Sequence, residues 1–464
     1  MVVEQNEFMR PQRIILTTHL FLPEFFGGTE TLVRDVAVAL KEKGHDVLVV
    51  TGYPMERQPG LADQFDEYRI DDLRVVRFNY QRAPLGGPRN PMRDDYANPV
   101  FEQGFCKLLD EFKPDIVHFH HFGRLSIRAI DACDARGIPA LFTATDFWSI
   151  CPTQALLLSN GAICEGPDRN SANCFKHIAG ISQPAWVSGI IKSVPIVALG
   201  GAMKLLEAHA KDLSGRVGVV QALAKRGGII AQRFHSLRTI FVPTRHAQTA
   251  LEKSSLGHGK FRILPFGIKN HGYMKRTRAR TGSDLVLGFI GQFLPHKGLH
   301  ILIEAIRLLP ADLPIQVKIY GKFPDNETVY SKDLIRNVQE DKRLEFCGIF
   351  ENAKIPVILD GLDALIIPSL WHENMPLVSL SAQAAGCPLI ASDIGGLSDI
   401  VTHERNGLLF KPGSAGELRD RIFRLLTDAD LLKRLSAAAI TPLNIDQYVD
   451  ALEVEYRHAI GEAQ

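Results

Sequence analysis

Cysteine is scarce in this chain of 464 residues: there are seven, an odd number with no repeating framework. That excludes a disulfide-stapled scaffold and fits thiols kept reduced. Net charge is scarce too. Lysine plus arginine nearly balances aspartate plus glutamate, leaving a formal charge of +1, so no global field recruits nucleic acid. Long apolar runs are missing. The best candidate, Val194 to Met203, is bracketed by Lys192 and Lys204 and interrupted by Pro195. Crossing a bilayer takes about 20 residues, so this segment falls short. The opening MVVEQNEFMRPQRIILTTHL lacks a basic start followed by an apolar stretch and a small-residue cleavage site, so no signal peptide and a cytoplasmic location are expected.

What is present is apolar residue enough for two cores, 45% of a chain longer than one core normally serves. Short β-branched runs alternate with helical patterns: Arg13–Thr18, Asp46–Thr51, Arg74–Phe78, Asp115–His120 and Pro139–Thr145, then Thr239–Thr244 and Phe261–Pro265. A second series follows: Leu285–Ile290, Ile315–Tyr320, Leu344–Cys347, Ala364–Pro368, Pro388–Ser392 and Gly407–Phe410. Such alternation predicts parallel sheets with crossover helices, hence two doubly wound α/β domains. Val33, Val36, Ala37 and Leu40 share one face of the first helix, which Gly44 is placed to end. The expected layout is an N-terminal domain at 1–270 with an insertion at 151–238, and a basic linker from His271 to Ser283. A C-terminal domain follows at 284–445, then a helix at 446–464 crossing back onto the first domain.

In doubly wound domains, ligands sit beyond the carboxyl ends of the strands, where glycine turns and helix starts present free amides. Four segments have that layout. FFGGTE puts Gly27 and Gly28 at the start of the first helix, a phosphate contact or simply a turn. GFIGQFLPHKGLHILIEAI puts Lys297 at a helix start, where its charge can neutralise a departing diphosphate. IIPSLWHENMPLVSLSAQAAGCPLIASDIGG holds Glu373 in a polar turn. Pro376 suits the first helical position and so aims the amides of Met375 and Leu377 at the ligand. ASDIGG repeats the strand–glycine–helix layout one unit later.

At these residues the chain strongly resembles family 4 glycosyltransferases. The resemblance runs from about Arg13 to Phe410, through the glycine pair, PDIVHFHH, TATDFWSICP, Thr244, PFGI, the Lys297-Gly298 turn and, most specifically, PSLWHENMPLVSLSAQAAGCPLIASDIGG. It implies a GT-B fold, two Rossmann-like domains facing a central cleft, and transfer from a nucleoside-diphosphate sugar, UDP- or GDP-linked, with retention of configuration. It also implies roles. Glu373 would contact donor-sugar hydroxyls, the Asn374 to Leu377 turn would hold sugar and diphosphate, Lys297 would pair with diphosphate, and Gly27 and Gly28 would let the first domain close. Asp146 joins Glu373 and Lys297 as a catalytic candidate. Three positions depart from the family pattern: Ser381 stands where a ribose-binding glutamate is usual, Gln292 where a second diphosphate cation is usual, and Thr145 where a histidine beside the sugar is usual.

No convincing Asp-X-Asp lies at a strand end. Asp428-Ala429-Asp430 falls on a late helical segment, so no metal cofactor is expected for the reaction. Cys151, Cys164, Cys174 and His177 offer either a structural zinc site or unlinked thiols in a reduced loop. Alternation places His118 and His120 on one strand face and His121 on the other, which reads as satisfied cleft or core histidines better than as a metal cluster. From 192 to 238, Lys192, Lys204, Lys211, Arg216, Lys225, Arg226, Arg233 and Arg238 face only Glu207 and Asp212. That excess is either a solvated helical face or a peripheral docking surface for anionic membrane at the inner leaflet, the latter favouring a lipid-linked or other glycan-precursor acceptor. Two other readings stand beside transfer: a non-catalytic GT-B scaffold that binds nucleotide or a partner subunit, and sugar-nucleotide epimerisation, against which the ENMPL motif speaks.

Overall fold

The computed structural model describes residues 10–461 except 58–59, 61–62, 82–88, 169, 270–271, 276, 279–283 and 324–327. The N-terminal sheet comprises β1 (Arg13–Thr18), β2 (Asp46–Pro54), β3 (Phe65–Ile70), β4 (Leu73–Tyr80), β5 (Ile116–Phe119), β6 (Ala140–Thr143), β7 (Thr239–Val242) and β8 (Phe261–Ile263). Its order is β3-β4-β2-β1-β5-β6-β7-β8, parallel except for β3. The second sheet comprises β9 (Leu285–Ile290), β10 (Ile315–Tyr320), β11 (Leu344–Gly348), β12 (Ala364–Ile367), β13 (Leu389–Ser392) and β14 (Gly407–Phe410), in the order β11-β10-β9-β12-β13-β14. In both sheets chain order reverses beside the first strand, between β1 and β5 and between β9 and β12. These are the two points where a doubly wound sheet opens a ligand crevice.

The antiparallel edge strand β3 is absent from the sequence reading. Its residues alternate without a buried face, but Asp71 and Asp72, both at positive φ (48° and 63°), make the two-residue turn that folds β3 back onto β4.

Each sheet is covered on both faces by apolar clusters. One of them is continuous from Leu32 and Val36 of the first helix (Gly28–Glu42), through Tyr448 and Leu452, to Leu365 and Ala382 of the second domain. The helix Ile445–Ile460 supplies the middle of that cluster. Its Tyr456 hydroxyl lies 2.7 Å from His118 Nδ1, and Glu453 takes contacts from His45 (2.8 Å) and Lys43 (3.0 Å), so the last helix is fastened to the N-terminal domain.

The expected linker is not a free tether in its described part. Arg278 is buried, and its guanidinium donates to the carbonyls of Leu362, Asp360, Gly386 and Ala385, all in the second domain. A basic stretch without apolar periodicity looks like solvent-exposed chain. Here its arginine instead saturates carbonyls left over at helix ends. Residues 271, 276 and 279–283 of that segment lie outside the described residues.

Candidate active site

Lys297 and Glu373 are brought together by the two strands that flank the second switch point. After β9 the chain makes a short turn, Pro295–Lys297, that ends at Gly298 with φ +73°. A Cβ at Gly298 would lie 1.8 Å from the carbonyl oxygen of Pro368, so only glycine lets the lysine turn press against the end of β12. Glu373 is buried, and its Oε1 accepts from Lys297 Nζ, Ser369 Oγ and Trp371 Nε1, each at 2.7 Å. Burial alone would raise this carboxyl. The Lys297 charge and the three donors outweigh it and hold the group below the ordinary carboxylate range, hence ionised. Lys297 Nζ also stands over the Trp371 ring at 4.8 Å. Among the described residues, Oε2 of Glu373 accepts no hydrogen bond.

The rest of the Glu373 turn is divided between ligand-facing backbone and a clasp between the domains. Asn374 is buried, its Nδ2 donating to Ala144 O (2.7 Å) and its Oδ1 facing Thr244 Oγ1 (3.5 Å), both on the N-terminal domain. Met375 accepts the amide of Phe266 on its sulfur at 3.3 Å. Both side chains are thus spent on the domain contact, which leaves the backbone of this turn as the part expected to meet the donor. Pro376 precedes the helix Leu377–Ala384 as its cap, one position earlier than expected. Among the described residues, the amides of Met375 and Leu377 meet no acceptor, as an anion site at a helix start requires.

Gly395 and Gly396 do not open to a ligand, contrary to the reading of ASDIGG. A Cβ on Gly396 would fall 1.6 Å from Asn374 O, and Gly396 N donates to Glu373 O at 2.7 Å, so this pair buttresses the Glu373 turn from behind. Gln292, at the carboxyl end of β9, is exposed. Ser381 is buried and accepts the Tyr273 hydroxyl at 2.9 Å, so its oxygen is engaged by protein rather than left open to a ribose.

The N-terminal half of the site is assembled from four separated segments. After β6, Asp146 holds the amide of Trp148 on Oδ1 (2.8 Å) and meets His121 Nε2 on Oδ2 (3.0 Å); its side chain is 27% exposed. His121 Nδ1 accepts from Gly123 N–H, so neutral His121 carries its proton on Nε2 and donates to Asp146. The His19 ring lies 4.0 Å from that of His121, and its Nε2 is 3.8 Å from Glu30 Oε1. Burial raises the Glu30 carboxyl and lowers His19 well below the usual histidine range. Neither His19 nor Glu30 was singled out by sequence. The only local signal for Glu30 is its place in FFGGTE, where a Cβ on Gly27 would sit 2.2 Å from Glu30 Oε2. The Glu30 carboxylate thus folds against Gly27, while Gly28 faces open space. Thr145 turns its hydroxyl to His120 O (2.9 Å). Because Ala144 touches Asn374, the segments bearing Asp146 and Glu373 meet across the domain contact.

The remaining candidates stand apart. Cys151, Cys164, Cys174 and His177 line one cavity, but all seven cysteines are free. Among the described residues no group of three or more His, Cys, Asp or Glu is arranged to hold a metal ion, so of the two readings of that cluster the arrangement favours unlinked thiols. Burial pushes the Cys174 thiol up to about 12, which suits an unreactive core thiol. His118 and His120 stack at 4.3 Å inside the domain, His118 between Tyr456 and Thr143. Asp428 caps the helix Ala429–Ala437 by accepting from Leu431 N.

Comparison with known proteins accords with this architecture. A family model described as "Glycosyl transferase 4-like domain" matches residues 27–172, and one described as "Glycosyl transferases group 1" matches residues 274–441. A 2-deoxystreptamine glucosyltransferase of Streptomyces kanamyceticus is 30% identical over 154 residues, 33% of this chain and 39% of the relative. A D-inositol 3-phosphate glycosyltransferase of Nocardia farcinica is 22% identical over 278 residues, 57% and 59%. The matched segments thus span 39% and 59% of those relatives' lengths. Sucrose-phosphate synthase from Thermosynechococcus elongatus superposes with a TM-score of 0.65 at 18% identity, covering 97% of this chain and 100% of that one. HepE of Anabaena, in complex with UDP and glucose, superposes with a TM-score of 0.60 at 15% identity, covering 96% and 98%. With two matched domains, both wound in the same order around a shared contact, the chain belongs to the family 4-like glycosyltransferases of GT-B fold.

Proposed function

We propose that this protein is a retaining glycosyltransferase that moves a sugar from a nucleoside-diphosphate donor, UDP- or GDP-linked, to a hydroxyl of a glycan-precursor or lipid-linked acceptor. The observation that carries the reading is the ionised Glu373–Lys297 pair at the β9/β12 switch point. Lys297 spends one proton on Glu373, leaving two to face a diphosphate. Beside it, the free amides of Met375 and Leu377 add donors where negative charge grows on the leaving group. That arrangement supplies charge stabilisation from the chain itself, so the proposed transfer uses no metal cofactor. Glu373 Oε2 is the acceptor for a donor-sugar hydroxyl. Across the contact, Asp146, held by Trp148 N and His121, is the carboxylate this reading assigns to the acceptor side. Attack by the acceptor hydroxyl on the face from which the diphosphate departs retains configuration.

A second reading, a GT-B scaffold that binds nucleotide or a partner subunit without turnover, has one observation in its favour: Tyr273 occupies Ser381. Thermal-shift titration with UDP, GDP, ADP and their sugar conjugates comes first, since a ligand that binds only the folded state raises its stability. The enzyme reading expects a selective rise in melting temperature, then release of free nucleoside diphosphate that depends on added acceptor. Binding without acceptor-dependent release under any donor would overturn transfer and leave the scaffold.

A further inference from the structure

The family models match residues 27–172 and 274–441, and between them lies a four-helix insertion: Ala172–Ser182, Ala185–Ser193, Ile196–Ala208 and Gly215–Phe234. Two of these helices present large apolar side chains outward. On the helix Ala185–Ser193, Trp186 (71% exposed) and Ile190 (60%) are one turn apart, while Ser188 on the opposite side is buried. On the helix Ile196–Ala208, Val197 (84%) and Leu205 (75%) lie outward, while Met203 packs inward against Leu223 and Ala224 and Gly200 is buried beside Asn170. An inward core this small leaves each helix with a second apolar face that nothing in the chain covers.

The charge around that face selects its partner. Lys192, Lys204, Lys211 and Arg216 are exposed, and among the described residues none lies within ion-pairing distance of a carboxylate. Of the other cations of the basic stretch, Arg238 is exposed just before β7, outside the helices, and the remaining three are engaged. Lys225 pairs with Asp212, Arg233 with Asp131, and Arg226 is buried against Trp148. The acidic groups nearby are Glu207, exposed on the second helix, and Asp212, shared by Lys225 and Arg93. An apolar face with a cationic margin fits an anionic lipid headgroup layer, whose surface attracts each lysine or arginine and whose acyl boundary accepts tryptophan and isoleucine.

We infer that the outward faces of Ala185–Ser193 and Ile196–Ala208 dock this protein onto the surface of an anionic bilayer. The helices lie on the membrane and do not cross it. Together they have the length and composition of a broken span, but they are bent by 98° at the break that holds Pro195, and among the described residues no single helix is long and apolar enough to cross. The docking surface is accordingly confined to these two helices, with Ile181 (54% exposed) and Val217 (54%) flanking it on the neighbouring ones. This inference does not depend on the transfer reaction.

Co-sedimentation of the full chain with vesicles tests it. Vesicles of 70% phosphatidylcholine and 30% phosphatidylglycerol should pull the protein down, vesicles of phosphatidylcholine alone should not, and salt should weaken the association. Of the three tryptophans, Trp148 is buried and Trp371 is held at the Lys297–Glu373 pair in the second domain, so a blue shift of tryptophan emission on anionic vesicles should be lost in Trp186→Ser. Trp186→Ser/Ile190→Ser and, separately, Lys192→Glu/Lys204→Glu should each reduce partitioning at least tenfold with unchanged melting temperature. Equal binding to neutral vesicles, or full binding by both double variants, would overturn the inference. So would a wild-type dimer that Trp186→Ser/Ile190→Ser converts to monomer while wild type ignores vesicles, because a second copy would then be the occupant.

Discussion

The two halves of the site are electrostatically unlike. On the C-terminal side, one carboxylate oxygen collects an ammonium, a hydroxyl and an indole N–H, and the group stays ionised despite burial. On the N-terminal side, burial wins instead: Glu30 is raised, His19 is lowered, and Asp146 keeps solvent access with a histidine proton beside it. The first arrangement fixes charge and so suits holding a leaving group. The second has groups able to exchange protons, which suits the end where a hydroxyl must lose one.

The comparison is broken most directly at Glu373. Glu373→Gln should lower kcat by at least about 100-fold with the far-UV spectrum unchanged, because it keeps the shape and removes the charge that orders Lys297; near-normal turnover would sink the assignment. Next comes its buttress. Gly396→Ala forces a Cβ into Asn374 O and should cost about 3 kcal/mol in denaturant unfolding together with activity. An unperturbed Tm would show that the turn has slack. Asp146→Asn should come third, with a roughly 10- to 100-fold loss in kcat and little change in nucleotide-induced thermal shift. If the shift vanishes instead, Asp146 belongs to the donor side.

Acid titration sharpens the contrast further. Burial pushes His120 from its ordinary 6.5 down to about 3, so between those values the unfolded chain binds a proton that the folded chain refuses. Stability should therefore fall as pH drops from about 6.5 toward 3, and His120→Phe should flatten part of that slope. Glu373, held below the ordinary carboxylate value of 4.5, contributes stability above that value and loses it as pH falls further, through its depressed folded value. A Tm profile over pH for the two variants should separate these windows. Smallest is Tyr273→Phe. Removing its bond to Ser381 should cost about 1 kcal/mol of stability and leave UDP or GDP affinity unchanged. Weaker nucleotide binding would return Ser381 to the donor site.

Legibility in the sequence follows the same division. Lys297 and Glu373 each lie in a continuous strand–turn–helix motif, and the strands around them begin or end within a residue or so of where their apolar runs do. His19 and Glu30 come from the connection after β1, His121 from the turn after β5 and Asp146 from the turn after β6, and only strand order brings them together; PDIVHFHH and TATDFWSICP mark His121 and Asp146 locally, but nothing local says that they meet His19 and Glu30. Glycine was legible as a marker of close approach but not of what approaches. A Cβ on Gly27 would meet the Glu30 carboxylate and one on Gly396 a backbone carbonyl. Charge counted along the chain overstated the basic surface, because it cannot tell the buried Arg226 from the exposed Lys204.

Arg226 has a reach of its own. From the last helix of the insertion its guanidinium donates to the carbonyls of Trp148 and Ser149 and stacks on the Trp148 ring at 4.6 Å, while the Trp148 amide holds Asp146. The insertion cannot tilt without pulling on that carboxylate. If the insertion rests on a bilayer, the same strut sets the height of Asp146 above it, like the stop on a depth gauge.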